Sequence, residues 1–417
     1  MIDTKILKGT REFLPKEMAK RELVMNKIKT IFARFGYDSI ETPIICPAET
    51  ILGKYGEEGD KLTYSFDDNG GRRIALPYDL TVPFARLVAA NWQDLPMPFK
   101  RYQIQRVWRA EKPQKGRLRE FYQCDIDIIG SKSLLCEAEL AKVIMTVFKE
   151  LGFKQFKIKV NSRRLLNDVL TKFGVGEKAV EVIRIIDKLK KIEEAAVIDM
   201  LEELGLNSPK ELIETLVQER LGDFDLSEIN QFFEYCEKLG VDQKYLEFDP
   251  CLARGLDYYT GISFEVYSDE APFGALCAGG RYDDLCGLFC KEDFSGVGVA
   301  FGFERLMLAM EEMGQFKEMQ SNSKVLVTIF DKDSIDNSLK IYSSLLEAGI
   351  NSELYFQPEK LAKQFKYADK KGVPFVIVCG PEEIARGEVA LKLMKSGKQK
   401  NIPTNQLISY LSSYYEN

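Results

Sequence analysis

From Lys16 to Phe35 the apolar residues Leu23, Ile28, Ile31, Phe32 and Phe35 recur at helical spacing, and Gly36 follows as a stop, so the pattern predicts a helix. The segment YDSIETPII after it reads as a strand. Between Pro96 and Gly130 the period shortens to two. PMPFKRYQIQRVWRAEK and REFYQCDIDIIG read as strands joined by the basic turn PQKGRL. In the first, Arg101, Gln103, Gln105, Arg109 and Glu111 share one face, with Tyr102, Ile104, Trp108 and Ala110 on the other. In the second, Phe121, Gln123, Asp125 and Asp127 oppose Tyr122, Cys124, Ile126 and Ile128. Each strand carries one wall of chemically capable side chains and one that is mostly core.

Helical periodicity and charge dominate from Ser162 to Tyr245, which predicts an all-helical insertion at 162–245 between two parts of one domain, 1–161 and 246–320. Strand patterns resume in GISFEVY and SGVGVAFGF, and a helix starts near Glu304. After the polar linker QFKEMQSNS, strands KVLVTIF, SELYFQ and VPFVIVCG alternate with helices, which predicts a separate α/β domain at 323–417.

At 417 residues, 45% hydrophobic and 29% charged, the chain suits a multidomain globular protein, and no apolar run approaches the roughly 20 residues of a membrane span. The polar N-terminus lacks the apolar core of a signal peptide, so no membrane association and a cytoplasmic location are expected. Nine scattered cysteines argue for reduced thiols, and Cys286 and Cys290 lack the second pair or histidine that a structural zinc site needs. A net charge of −6 excludes nonspecific adhesion to nucleic acid, but basic clusters at 112–119, 188–191, 360–371 and 392–400 leave room for local contact. The chain has no histidine. Chemistry must rest on arginine, carboxylates, tyrosine and metal ions.

Candidate chemistry collects in a few segments. In SGVGVAFGFERL, Gly296, Gly298, Ala300 and Gly302 share one face of a strand. Such a bare face accommodates either a close backbone or a flat aromatic ligand. Arg305 follows at the start of a helix, where it can reach phosphates. The spacing G-x-G-x-x-G fails at Phe301, which excludes a dinucleotide fingerprint. LARGLDYYTG joins Arg254 to Tyr258 and Tyr259, and CAGGRYDDL sets Gly279 and Gly280 beside Tyr282, as a ligand contact or a structural turn.

Together these segments resemble the class II aminoacyl-tRNA synthetases and, within them, the histidyl-tRNA synthetase family. GYDSIETPII, with Pro43, is similar to motif 1, RVWRAEKPQKGRLREF to motif 2 and GVGVAFGFERL to motif 3. ARGLDYYTG and AGGRYDDL resemble the two histidine-specific signatures, supported by LPYDLTVPFAR and FYQCDIDIIG. The resemblance implies an α+β fold: an antiparallel-sheet catalytic domain with a helical insertion, then a C-terminal α/β anticodon-binding domain. It also implies a homodimer built through motif 1 and ATP-dependent ligation of L-histidine to tRNA(His) through a histidyl-adenylate, releasing pyrophosphate and AMP. Mg²⁺ would accompany ATP, with no metal site held by the protein alone.

By the same resemblance Arg109 and Arg254 are catalytic cations, with Arg109, Glu111, Arg117, Phe121 and Arg305 binding ATP. Asp79, Thr81 and Gln123 would meet the ammonium and carboxylate of histidine, Asp127, Tyr259 and Tyr282 would line its imidazole pocket with Tyr258 nearby, and Arg254 would also bind histidine. Gln114, Lys115 and Arg119 would meet the tRNA acceptor end. The family often carries histidines around motif 2, where this chain has Val107, Trp108, Ala110 and Tyr122. The alternative is a synthetase-like regulatory subunit that senses histidine without charging tRNA.

Overall fold

The N-terminal helix forms as Pro15–Arg34, burying Val24, Met25, Ile28, Ile31 and Phe32 along one stripe. Proline in its first turn gives up no hydrogen bond, and Gly36 leaves the helix at φ +76°. The computed structural model describes residues 2–415 apart from 191, 254–257, 293 and 317–320, and falls into two units, 1–316 and 317–417.

In the first unit an eight-stranded sheet runs in the order β1-β5-β6-β11-β10-β9-β7-β8. Its strands are β1 (Asp38–Ser39), β5 (Phe99–Trp108), β6 (Glu120–Ile129), β7 (Phe156–Ser162), β8 (Leu246–Phe248), β9 (Ile262–Ser268), β10 (Cys277–Tyr282) and β11 (Gly296–Gly302). The pairs β1–β5 and β7–β8 are parallel and the rest antiparallel. A small sheet of β2 (Cys46–Pro47), β3 (Ser65–Asp67) and β4 (Arg73–Ala75) lies beside it in the order β2-β4-β3.

Two expectations for local structure fail. Of YDSIETPII only Asp38–Ser39 forms a strand, because Gln105 Nε2 donates to the carbonyl of Thr42 at 3.0 Å and Pro43 has no N–H to offer a neighbour. Strand β5 ends at Trp108, earlier than the alternation predicted, since the amide of Trp108 turns to Pro77 O (2.9 Å) and that of Ala110 to Leu62 O (2.8 Å). Arg109 and Glu111 therefore leave the strand and enter the loop.

The two walls of the β5–β6 hairpin are both covered. Cys124, Ile126 and Ile128 join the main core with Phe32, Phe148, Phe301 and Phe303, from the sheet and the helices Pro15–Arg34, Leu135–Glu150 and Phe303–Glu312. The polar wall is buried as well: Arg101, Gln103, Gln105, Gln123, Asp125 and Asp127 are each at most 7% exposed. The helix Thr81–Asn91 covers it, with Phe84 4.2 Å from the Arg101 guanidinium. Polar alternation that usually marks a solvent face marks here the floor of a closed site.

From 163 to 245 no strand occurs among the described residues. The helices Arg163–Lys172, Ala179–Ile186, Glu194–Glu203 and Pro209–Val217 share a core of their own around Val169, Ile183, Val197 and Leu212. The helix Ser227–Lys238 instead sends Ile229, Phe232 and Cys236 into the main core.

The second unit is a five-stranded sheet in the order β13-β12-β14-β15-β16. Here β12 (Val325–Val327), β13 (Ser352–Leu354) and β14 (Phe375–Val378) are parallel, and β15 (Glu388–Leu393) and β16 (Gln399–Pro403) form an antiparallel hairpin. The basic cluster at 392–400 is this hairpin. Its lysines obscured the apolar positions Val389, Leu391 and Ile402, which the fold buries. Among the described residues no helix is long and apolar enough to cross a membrane.

Candidate active site

Two adjoining cavities open along the sheet. The larger, about 280 Å³, is lined by Arg109, Glu111, Arg117, Phe121 and Arg305, all five of the residues expected to hold ATP. The smaller, about 50 Å³, is lined by Asp79, Thr81, Asp125, Asp127, Tyr258, Tyr259 and Tyr282. Arg109 and Gln123 line both. Arg254 lies outside the described residues.

The glycine face of β11 serves both cavities differently along its length. A side chain at Gly296 would run into the Tyr282 ring, and one at Gly298 into the Asp127 carboxylate, so these two positions are bare to admit the small cavity's own walls. At Gly302 the nearest atom, Leu276 O, is 3.5 Å away, and Ala300 and Gly302 open into the large cavity. Packing explains the first half of the strand and ligand space the second. For Gly279 and Gly280 packing is the reason: added side chains would strike β11 backbone, the Tyr259 ring and β9 backbone.

The large cavity is a trap for anions. Burial, then the charges of Arg117 and Arg109, pull the Arg305 guanidinium below its ordinary value, as expected where cations converge without enough counter-charge. Arg305 is held from behind, Nη1 donating to Ala275 O at 2.6 Å and Nε to Gly116 O at 3.3 Å. Arg109 Nε donates to Tyr78 O at 3.0 Å, and its guanidinium lies 4.2 Å from the Tyr78 ring and 5.3 Å from that of Phe121. Arg117 is more loosely placed, 3.7 Å from Glu111.

In the small cavity acid predominates. Asp79 Oδ1 accepts from the Tyr55 hydroxyl (2.8 Å) and the amides of Thr81 and Val82 (both 3.1 Å), and Oδ2 accepts from the Tyr258 hydroxyl at 3.4 Å. The carboxylate so caps the helix Thr81–Asn91, where the positive end of the helix favours it. Asp127 accepts a hydrogen bond from Tyr282 and pairs with Arg101 at 2.6 Å. Burial raises the carboxyls of Asp79, Asp125 and Asp127, most strongly Asp125; Arg101 opposes the rise at Asp125 and Asp127. Gln123 Oε1, buried where the cavities meet, has no hydrogen-bond partner.

A third cavity of about 670 Å³ shares Arg117 and Arg305 with the first and includes Gln114 and Lys115. Arg119 is not brought there. It turns to the N-terminal segment, its Nη1 donating to Lys8 O (3.3 Å) and its Nε to Glu111 O (3.2 Å).

Asp125 and Glu265 also line the two cavities, and Tyr55, Tyr78 and Arg101 stand behind them against Asp79, Arg109 and Asp127; none of the five was singled out as a ligand. For Arg101 and Asp125 the alternation carried a signal, since both lay on the polar wall. Tyr55, Tyr78 and Glu265 had none. Among the described residues no group of three or more acidic or cysteine side chains could hold a metal ion.

An antiparallel sheet that sets an arginine-lined cavity against an acidic, tyrosine-lined one, followed by a separate mixed-sheet unit, defines a class II aminoacyl-tRNA synthetase. Residues 9–306 match the family model for histidyl-tRNA synthetase, and 324–414 that for an anticodon binding domain. The chain belongs to the histidyl-tRNA synthetase family. It is 38% identical to the histidine–tRNA ligase of Cytophaga hutchinsonii, over 97% of this chain and 98% of that one. The same enzyme of Christiangramia forsetii is also 38% identical, over 96% and 98%. The crystal structure of histidyl-tRNA synthetase from Nostoc sp. superposes with a TM-score of 0.84 at 30% identity, covering 99% of this chain and all of that one.

Proposed function

We propose that the protein activates L-histidine with ATP and transfers it to tRNA(His). The observation that carries this reading is that Arg109 and Gln123 line both cavities, so a carboxylate in one can meet an α-phosphate in the other beside a fixed cation. Phe121 stacks on adenine, Glu111 meets its polar edge, and Arg117 and Arg305 hold the outer phosphates. Asp79, Thr81 and Gln123 receive the ammonium and carboxylate of histidine. Asp127, Tyr259 and Tyr282, with Tyr258 beside them, satisfy both imidazole nitrogens. An apolar substitute leaves those buried groups unpaired, a penalty that can reach a discrimination of about 10⁴ to 10⁵ without editing.

In the first step the histidine carboxylate attacks the α-phosphorus, the bond to the β-phosphate oxygen breaks, and pyrophosphate leaves. Charge gathers on the phosphoryl oxygens, where Arg109 stands ready, and the family resemblance gives Arg254 the same role. In the second, the terminal hydroxyl of tRNA attacks the adenylate carbonyl and AMP departs. A nonbridging phosphate oxygen of the adenylate takes the hydroxyl proton, since the chain holds no histidine to do so.

Mg²⁺ fits this site as a passenger of ATP. Of the carboxylates lining the large cavity, Glu111 and Glu265, the latter accepting a hydrogen bond from the Tyr267 hydroxyl, would be the residues to meet it, while Glu304 is bound to Arg21. When bound, the ion neutralises charge on the outer phosphates.

Gln114 and Lys115 receive the tRNA acceptor end, while Arg119 supports them from the N-terminal side. The second unit binds the anticodon stem. The segment around Pro43, with Ile44 41% and Ile45 59% exposed, forms the homodimer contact. The enzyme works in the cytoplasm.

Pyrophosphate exchange into ATP, assayed with each of the twenty amino acids, tests the reading. Exchange with histidine alone supports it, and Arg305→Ala should raise the KM for ATP about 10- to 100-fold, the worth of a charged hydrogen bond. A protein that binds histidine without exchange is a sensor, and the proposal falls.

A further inference from the structure

Gln123, Asp125 and Asp127 follow one another on the same face of β6, about 7 Å apart per step along the strand. Gln123 stands at the mouth shared with the large cavity, and Asp127 at the closed end against Tyr282. Asp125 stands midway. Its side chain lines the small cavity, the residue is 2% exposed, and Oδ1 has no hydrogen-bond partner. Its neighbour across the sheet on β11 is Ala300, too small to fill the space beside it.

A buried carboxylate oxygen with nothing to accept from is costly, and the cost is recovered when a cation arrives. The nearby cations have other duties. Arg101 is paired with Asp127 at 2.6 Å, and Arg109 Nε is spent on Tyr78 O. Asp79, the acid assigned to the substrate ammonium, already has three donors on Oδ1 and Tyr258 on Oδ2.

We infer that Asp125 binds the α-ammonium group of the amino-acid substrate from the cavity floor, with Asp79 at the side. In histidine the carboxylate and the ring lie at opposite ends and the amine-bearing carbon between them. With the carboxylate at Arg109 and Gln123 and the ring at Asp127 and Tyr282, the ammonium falls at the middle of the floor. The inference rests on reading this cavity as a histidine site.

Ligands that carry the amine and ligands that lack it separate the possibilities. Wild type and Asp125→Asn, as full-length protein, are compared in histidine-dependent pyrophosphate exchange, with histamine (amine, no carboxylate) and imidazolepropionate (carboxylate, no amine) as competitors. The substitution should weaken histidine and histamine about 10- to 100-fold and leave imidazolepropionate and the KM for ATP within about twofold. Equal weakening of all three ligands overturns the inference in favour of a structural role, and so does no change. If Asp125→Asn does not fold, the smaller Asp125→Ser goes through the same series. Wild type without histidine-dependent exchange overturns the histidine reading and this inference together; an active wild type with an indifferent variant overturns only the inference.

Discussion

Arg101 and Asp127 are register partners on β5 and β6, and Arg101 Nη2 lies 2.6 Å from Asp127 Oδ2 with neither side chain more than 3% exposed. Asp127 also accepts from Tyr282, so the pair sets both the charge and the direction of the acid at the closed end of the small cavity. Arg101→Met should leave Asp127 buried without its cation and cost about 3–5 kcal/mol in denaturant unfolding, as for other broken buried pairs. The KM for histidine should rise while that for ATP holds. Equal losses for both substrates count against a local role.

Asp125 predicts a pH dependence of stability. Burial holds its carboxyl well above the ordinary 3.8, and the folded protein therefore favours the protonated form. The stability this group contributes is complete below about pH 4 and disappears as pH rises through the raised value. Asp125→Asn removes that loss. Without substrates, the variant should melt above wild type at about pH 8, and the difference should shrink toward zero near pH 4. A variant that is less stable at the higher pH contradicts the assignment.

The divided glycine face predicts that two alanines act on different substrates. Gly298→Ala drives a methyl group into the Asp127 carboxylate and Ile126 O, so it should lower the melting temperature and abolish histidine binding. Gly302→Ala meets nothing closer than 3.5 Å and protrudes toward the large cavity, so it should fold normally and raise the KM for ATP. Thermal melts and steady-state kinetics on both variants check this; the same pattern in the two contradicts it.

Arg21 predicts a loss of stability from a buried pair behind the large cavity. Its Nη1 and Nη2 donate to the two oxygens of Glu304 at 2.7 and 2.6 Å, with both residues buried, and Glu304 precedes Arg305 on the helix Phe303–Glu312. The guanidinium also lies 3.8 Å from the Phe13 ring and 4.8 Å from that of Phe303. Arg21→Ala should destabilise the protein by about 3–5 kcal/mol, and Arg21→Ala with Glu304→Leu by less, because the orphaned carboxylate is gone. Urea unfolding of the single and double variants decides it.

Much of the site was legible as pattern. Period-two alternation placed Gln123, Asp125 and Asp127 on one face, and every second residue of SGVGVAFGF on another, because a strand's geometry is local. Segment order and signatures were enough to group Arg109, Glu111, Phe121 and Arg305, which line one cavity. The end of β5 at Trp108 was not legible, since its amide pairs with Pro77 O, nor was the β15–β16 hairpin behind its lysines.

By itself the sequence determined which residue types were available and which shared a strand face: no histidine, a wall of carboxylates and amides, a bare strand, two tyrosine signatures. Tertiary structure decided which of them meet. Tyr258 reaches Asp79 across 179 residues, Tyr282 reaches Asp127 across 155, and Arg21 reaches Glu304 across 283. No periodicity carries such pairings. They follow from closing one sheet with strands from distant segments, and the same closure buried the polar wall that alternation alone would have left in water.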